Sequence, residues 1–112
     1  MLTSRNGHYG ATDLASATIY ISPTVPSGTV LSVVRHEYAH VVSMRTYGGD
    51  VAAAVAAMSR SFGGPSPRGS GGAERAADCM AKALGASWFN YTTCPMPAWR
   101  ASAARLIGGR PL

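Results

Sequence analysis

Carboxylates are the scarcest functional groups in this chain: Asp and Glu together number five in 112 residues, against ten Lys and Arg. Long apolar runs are also missing, and nothing approaches the ~20 consecutive apolar residues that a membrane-spanning helix needs. The formal charge of +5 and the pI near 9.8 would raise nucleic acid as a partner. Yet the arginines are spread singly along the chain, with no basic run and no interleaved aromatic platform, so no nucleic-acid partner is expected. Cysteine is limited to Cys79 and Cys94, whose spacing excludes a CxxC redox or zinc pair. The first residues, Met1 to Asn6, have no apolar stretch of the signal-peptide type.

What remains is the composition of one globular domain over residues 1–112, 46% hydrophobic and large enough for a single core. Residues 1 to 15 are polar, with Asn6-Gly7 as a turn signal, and suggest at most a short hairpin or an ordered arm. Ala17 to Ser22 is β-branched and aromatic and stops at Pro23, which predicts the one clear strand of the chain. After a Pro-containing loop, with Ser27 or Thr29 available as a cap, a helix is expected from about 29 to about 46, ending at Gly48-Gly49. Its apolar residues lie nearly all round, as in a central buried helix. Asp50 is placed to cap a second helix, Val51 to about Ser61. Gly63 to Gly72 reads as a loop, a third helix runs from about Ala73 to Leu84 and stops at Gly85, and Pro97 opens a fourth through about Ile107. The expected fold is therefore α+β and mostly helical, about four helices with a small sheet edged by the strand at 17–22.

The first of these helices carries His36-Glu37-Tyr38-Ala39-His40. Positions four apart on a helix differ by roughly 40° and one turn, so both imidazoles can reach one metal ion. Glu37 lies roughly 100° round from His36, too far to share the ion but close enough to take a proton from a water beside it. Zinc suits imidazole, and a catalytic zinc takes three protein ligands while keeping a fourth position open. A third ligand must come from elsewhere. Glu74 and Asp78 repeat the four-residue spacing on the third helix, and Asp50 lies just past the Gly-Gly turn.

Together the HExxH pattern and Glu74-Arg75-Ala76-Ala77-Asp78 resemble the gluzincin branch of the zincin metallopeptidases, the thermolysin-like enzymes and their small relatives, over about residues 17 to 85. The resemblance implies a minimal zincin-like domain in which His36, His40 and Glu74 bind zinc, Glu37 is the general base, and Asp78 orients a ligand histidine. It implies a zinc metalloendopeptidase acting on a peptide or protein substrate that lies extended along the edge strand, Thr18 to Ser22. A metzincin is excluded, because Ser43 and Thr46 stand where that family has glycine and histidine. Zincins usually have more strands than this chain shows, and the C-terminal domain of thermolysin, with its oxyanion-stabilising histidine, has no counterpart. Tyr47, Tyr91, His8 and Arg100 are the candidates left for that role. Asp50, at the separation where aspzincins supply an aspartate, stays open as the third ligand. Glu74 is favoured because ligand histidines need an acceptor behind them, and only its helix offers a second carboxylate.

Cys79 is about 140° round the helix from Glu74 and so points off the metal face. Paired with Cys94 it would form a disulfide contributing about 3 kcal/mol, the other possibility being two free thiols. The bridge goes with a secreted or cell-envelope protein, of which this chain would be a mature fragment carrying an added Met1, and free thiols go with a cytoplasmic one. Two further functions fit the same motifs: a zinc-containing peptide-binding module without turnover, and a cytosolic regulatory peptidase that cleaves a repressor. The sequence carries no signal for an oligomeric state.

Overall fold

A computed structural model describes residues 9–13, 15–64 and 71–112. The Asn6-Gly7 turn signal, His8 and the middle of the Gly63–Gly72 loop lie outside the described residues. In chain order the elements are β1 (Gly10–Asp13), β2 (Thr18–Ile21), a 3-10 turn (Ser27–Thr29), α1 (Val30–Thr46), α2 (Val51–Phe62), α3 (Gly71–Ala83) and α4 (Pro97–Ile107). Among the described residues they make a small α+β fold of four helices and one two-stranded antiparallel sheet.

Strand β1 is the element that the sequence hides. Gly-Ala-Thr-Asp holds a single β-branched residue and has little strand preference of its own. It is a strand because it pairs with β2, Gly10 opposite Ile21 through Asp13 opposite Thr18, and because Ala11 and Thr12 are buried. Asp13 sets the turn, its Oδ1 accepting from the backbone N–H of Ala15 at 3.0 Å and of Ser16 at 3.4 Å. The hairpin therefore turns after Asp13. Gly10 lets the sheet settle on α1: a Cβ there would lie 2.7 Å from Val33 Cγ1. A helical valine has essentially one rotamer and cannot turn aside.

Helix α1 starts without the expected cap. Thr29 Oγ1 donates to Pro26 O at 2.8 Å inside the 3-10 turn, and neither Ser27 nor Thr29 caps α1 with its side chain. The end is as the glycines predict. Gly48 takes φ +65°, its N–H donating to Arg45 O at 3.0 Å while that of Gly49 donates to Met44 O at 2.9 Å. The helix is not buried all round, however, since Leu31 is 64% and Tyr38 46% exposed. These residues lie seven apart on one face, and the two-stranded sheet and the other helices cover only the remaining faces of α1.

Helix α2 is capped by Asp50, whose side chain accepts from Ala53 N–H at 3.0 Å. Its buried Ala54, Met58 and Phe62 share a core with Ala73, Ala76, Ala77 and Met80 of α3, to which α4 adds Ala103 and Leu106. Alanine on both sides lets the α2 and α3 backbones approach closely. The approach is tightest at Gly72, in the first turn of α3, which begins two residues earlier than expected. A Cβ there would lie 2.6 Å from Gly63 O and 2.7 Å from both Met58 O and Ser59 Cα. Arg75 closes the same corner by donating to Phe62 O at 3.1 Å and to Gly64 O at 3.0 Å. No helix among the described residues is long and apolar enough to cross a membrane.

Because all three obstacles at Gly72 are backbone atoms, Gly72→Ala should destabilise the protein by about 3 kcal/mol, the upper end of the usual cost of overpacking. Urea unfolding measures this as a lowered midpoint at unchanged slope. A midpoint equal to wild type would mean that α2 and α3 do not meet there.

Candidate metal centre

The docking of α3 on α1 brings together the residues that the two sequence motifs supply. Glu74 Oε1 lies 2.9 Å from His36 Nε2 and 2.9 Å from His40 Nε2, and the two Nε2 atoms are 3.2 Å apart. The rings meet edge to face, with centroids 4.9 Å apart, so both lone pairs can converge on one point. A tetrahedral zinc with ligands about 2.1 Å away needs donors spaced roughly 3.4 Å. The observed triangle is within half an ångström of that, and His, His and Glu are chemically a zinc set. Among the described residues this is the one group of three such side chains that could share an ion.

Behind the triangle stands Asp78, which is 2% exposed. Its Oδ1 lies 2.7 Å from His36 Nδ1. With Nδ1–H donating to that oxygen, the Nε2 lone pair is left facing Glu74 and His40. The other oxygen, Oδ2, accepts from the backbone N–H of Tyr91 at 2.7 Å and of Thr92 at 3.1 Å. Those amides belong to the segment 86–96, which is fastened at several points. Cys79, next to Asp78, forms a disulfide with Cys94, with Cα atoms 5.2 Å apart. Ser32 Oγ, one turn before His36 on α1, accepts from Ser87 N–H at 2.9 Å and Trp88 N–H at 3.1 Å. Lys82 Nζ donates to Thr93 O at 2.8 Å.

Glu37 is buried on the side of α1 that meets the sheet. Thr12 Oγ1 is 2.7 Å from Glu37 Oε1 and 3.3 Å from Glu37 O. The strand that touches this carboxylate is therefore β1, and not the 17–22 strand to which the substrate was expected to pair. Of the four candidates for an oxyanion partner, Tyr91 stacks on His36 with centroids 5.9 Å apart and planes 18° from parallel. Tyr47 instead accepts from Leu112 N–H, and Arg100 donates to Cys94 O and Pro95 O. His8 lies outside the described residues. Asp50 is spent on the α2 cap. Sequence reasoning missed Thr12, Gly10 and the two amides on Asp78. Only Ser32 left a trace, as a hydroxyl one turn before His36 in an apolar run.

Protons compete for the same atoms as a metal. Burial works against a charged His36, but hydrogen bonds to Asp78 and Glu74, with their charges, outweigh it and lift the imidazolium from 6.5 to about 10. Burial likewise opposes an ionised Glu74, and the hydrogen bonds and charges of His36 and His40 prevail, holding it well below the carboxylate range. No protein-family model, curated protein or solved structure matches the chain, so a functional reading rests on this geometry.

Two outcomes follow for zinc. Glu74→Ala should nearly abolish zinc retention, Asp78→Ala should weaken it by roughly 10- to 100-fold, and Asp50→Ala should cost only a helix cap, about 1 kcal/mol of stability. Chelator competition ranks the three, and loss of zinc in Asp50→Ala with retention in Glu74→Ala would transfer the ligand role to Asp50. Zinc must also displace the His36 proton, so its affinity should keep rising by about tenfold per pH unit above pH 7, where ordinary imidazoles would have levelled off. With chelator present, the His36 contribution to stability is complete below pH 6.5 and fades as the pH rises towards 10. That of Glu74 is complete above about 4.5 and fades on acidification. Unfolding midpoints across pH read both limbs.

Proposed function

We propose that this chain is a zinc-dependent peptidase of the gluzincin kind. The observation that carries this reading is the His36–His40–Glu74 triangle with Asp78 behind it and Glu37 next to His36 on the same helix. His36, His40 and Glu74 would hold the ion. When bound, zinc supplies Lewis acidity, making a water acidic enough to lose a proton near neutral pH and polarising a carbonyl.

The chain's own groups do the rest. Glu37 takes the proton of the attacking water and delivers it to the amide nitrogen as the C–N bond breaks, so one carboxylate serves first as base and then as acid. Asp78 holds His36 in one tautomer throughout. Among the described candidates Tyr91, stacked on His36, is the one placed to offer a hydroxyl that steadies charge on the carbonyl oxygen. A peptide would pair with β2, the more exposed strand of the hairpin. Ser22 N–H donates to Tyr9 O, so by antiparallel alternation the backbone groups of Ile19 and Ile21 point away from β1. Main-chain pairing of that kind is nearly blind to substrate sequence. The Cys79–Cys94 bridge favours an oxidising compartment, secreted or in the cell envelope, over a cytosolic repressor-cleaving role.

Glu37→Gln separates a peptidase from a zinc-containing binding module. On dye-labelled casein the zinc-loaded variant should lose at least about 100-fold in rate while keeping its zinc and its melting temperature. Equal turnover by variant and wild type would remove Glu37 from the mechanism. A wild type that holds zinc and cuts no peptide would leave the binding-module reading.

A further inference from the structure

Glu37 sits in a seat built by two residues of β1 that share one face of the strand, Gly10 and Thr12. On the Gly10 side there is room only for the carboxylate: a Cβ at that position would lie 3.1 Å from both Glu37 Cγ and Glu37 Oε2. On the Thr12 side the residue is 5% exposed, and the hydroxyl's distance of 2.7 Å to Oε1 is that of a strong O–H···O⁻ bond. The second acceptor, Glu37 O, is at 3.3 Å, and one hydroxyl proton serves the nearer oxygen better. A glutamate side chain has three rotatable bonds, and one hydrogen-bonded oxygen with a wall beside the other leaves its carboxylate little freedom.

We infer that Thr12 is a positioning residue for Glu37: its hydroxyl fixes the orientation of the carboxylate from which the general base works. The inference rests on the reading of Glu37 as the base, but the hydrogen bond can be tested apart from it. The contact joins residues 25 apart in sequence and is made through a strand with no other evident part in the core of the helices.

The test compares Thr12→Val, which removes the hydroxyl and keeps the shape, with Thr12→Ser, which keeps the hydroxyl. The chain has only two glutamates, Glu37 and Glu74. Protein labelled with ¹³C at glutamate Cδ and loaded with zinc should therefore show two carboxylate signals, assigned by Glu37→Gln. Thr12→Val should move the Glu37 signal and leave that of Glu74 in place, and Thr12→Ser should restore it. On casein, Thr12→Val should lower kcat by about 10- to 100-fold with KM and zinc content unchanged, and Thr12→Ser should recover most of the rate. An unmoved Glu37 signal overturns the inference. So does a wild-type rate in Thr12→Val. If wild type holds zinc but cuts no casein, the peptidase reading fails, and the ¹³C signals still decide whether Thr12 holds Glu37. Should Thr12→Val not fold, Thr12→Ala makes the same comparison.

Discussion

Everything at the centre of this protein passes through one buried carboxylate. Asp78 is almost sealed from solvent, and an ionised group there is tolerable only if its oxygens are bonded. Each one is: Oδ1 to the His36 ring on α1, Oδ2 to two amides of the segment that follows α3. Removing any of these partners would leave a charge without its bonds, so the three segments are held to a common arrangement. The disulfide one residue on, and Ser32 across the way, anchor the same segment from two other sides. What fixes the fold at this point also fixes the tautomer of His36, a histidine of the candidate metal centre.

The helices were legible because each is punctuated. Gly48-Gly49, Asp50, Gly85 and Pro97 stand at helix ends whose backbone geometry is local, and local geometry is what a sequence reports directly. The site residues His36, His40, Glu74 and Asp78 were legible for a similar reason, since four-residue spacing on a helix fixes which side chains share a face. Strand β1 was not legible. Its four residues become a strand through pairing with β2 and burial on α1, and neither contact leaves a periodic mark in Gly-Ala-Thr-Asp. Thr12 was hidden for the same cause. Leu31 and Tyr38 are exposed although the apolar residues of α1 run nearly all round, because two strands and three helices leave that face uncovered.

The shortage of acids also takes on a meaning. Asp13 closes the hairpin and Asp50 starts α2. Glu37, Glu74 and Asp78 lie around the histidines, each with a hydrogen-bond partner on another element. Even the exposed Asp50 and the half-buried Asp13 accept from backbone amides, so each of the five has a hydrogen-bonding role. The net positive charge is thus what remains after every carboxylate has been given a place.

The alanine-lined contact between α2 and α3 makes tolerance to change run in one direction only. Ala54, Ala73, Ala76 and Ala77 have almost no side chain left to lose, so the cavities that truncation opens in a leucine core hardly arise at these four positions. Enlargement is blocked at Gly72, where the opposing backbone leaves no room for a Cβ. A population of variants selected for folding alone would therefore keep glycine at position 72. Glu74, a candidate metal ligand, lies between Ala73 and Ala76 and would inherit a fixed neighbourhood from a constraint unrelated to chemistry.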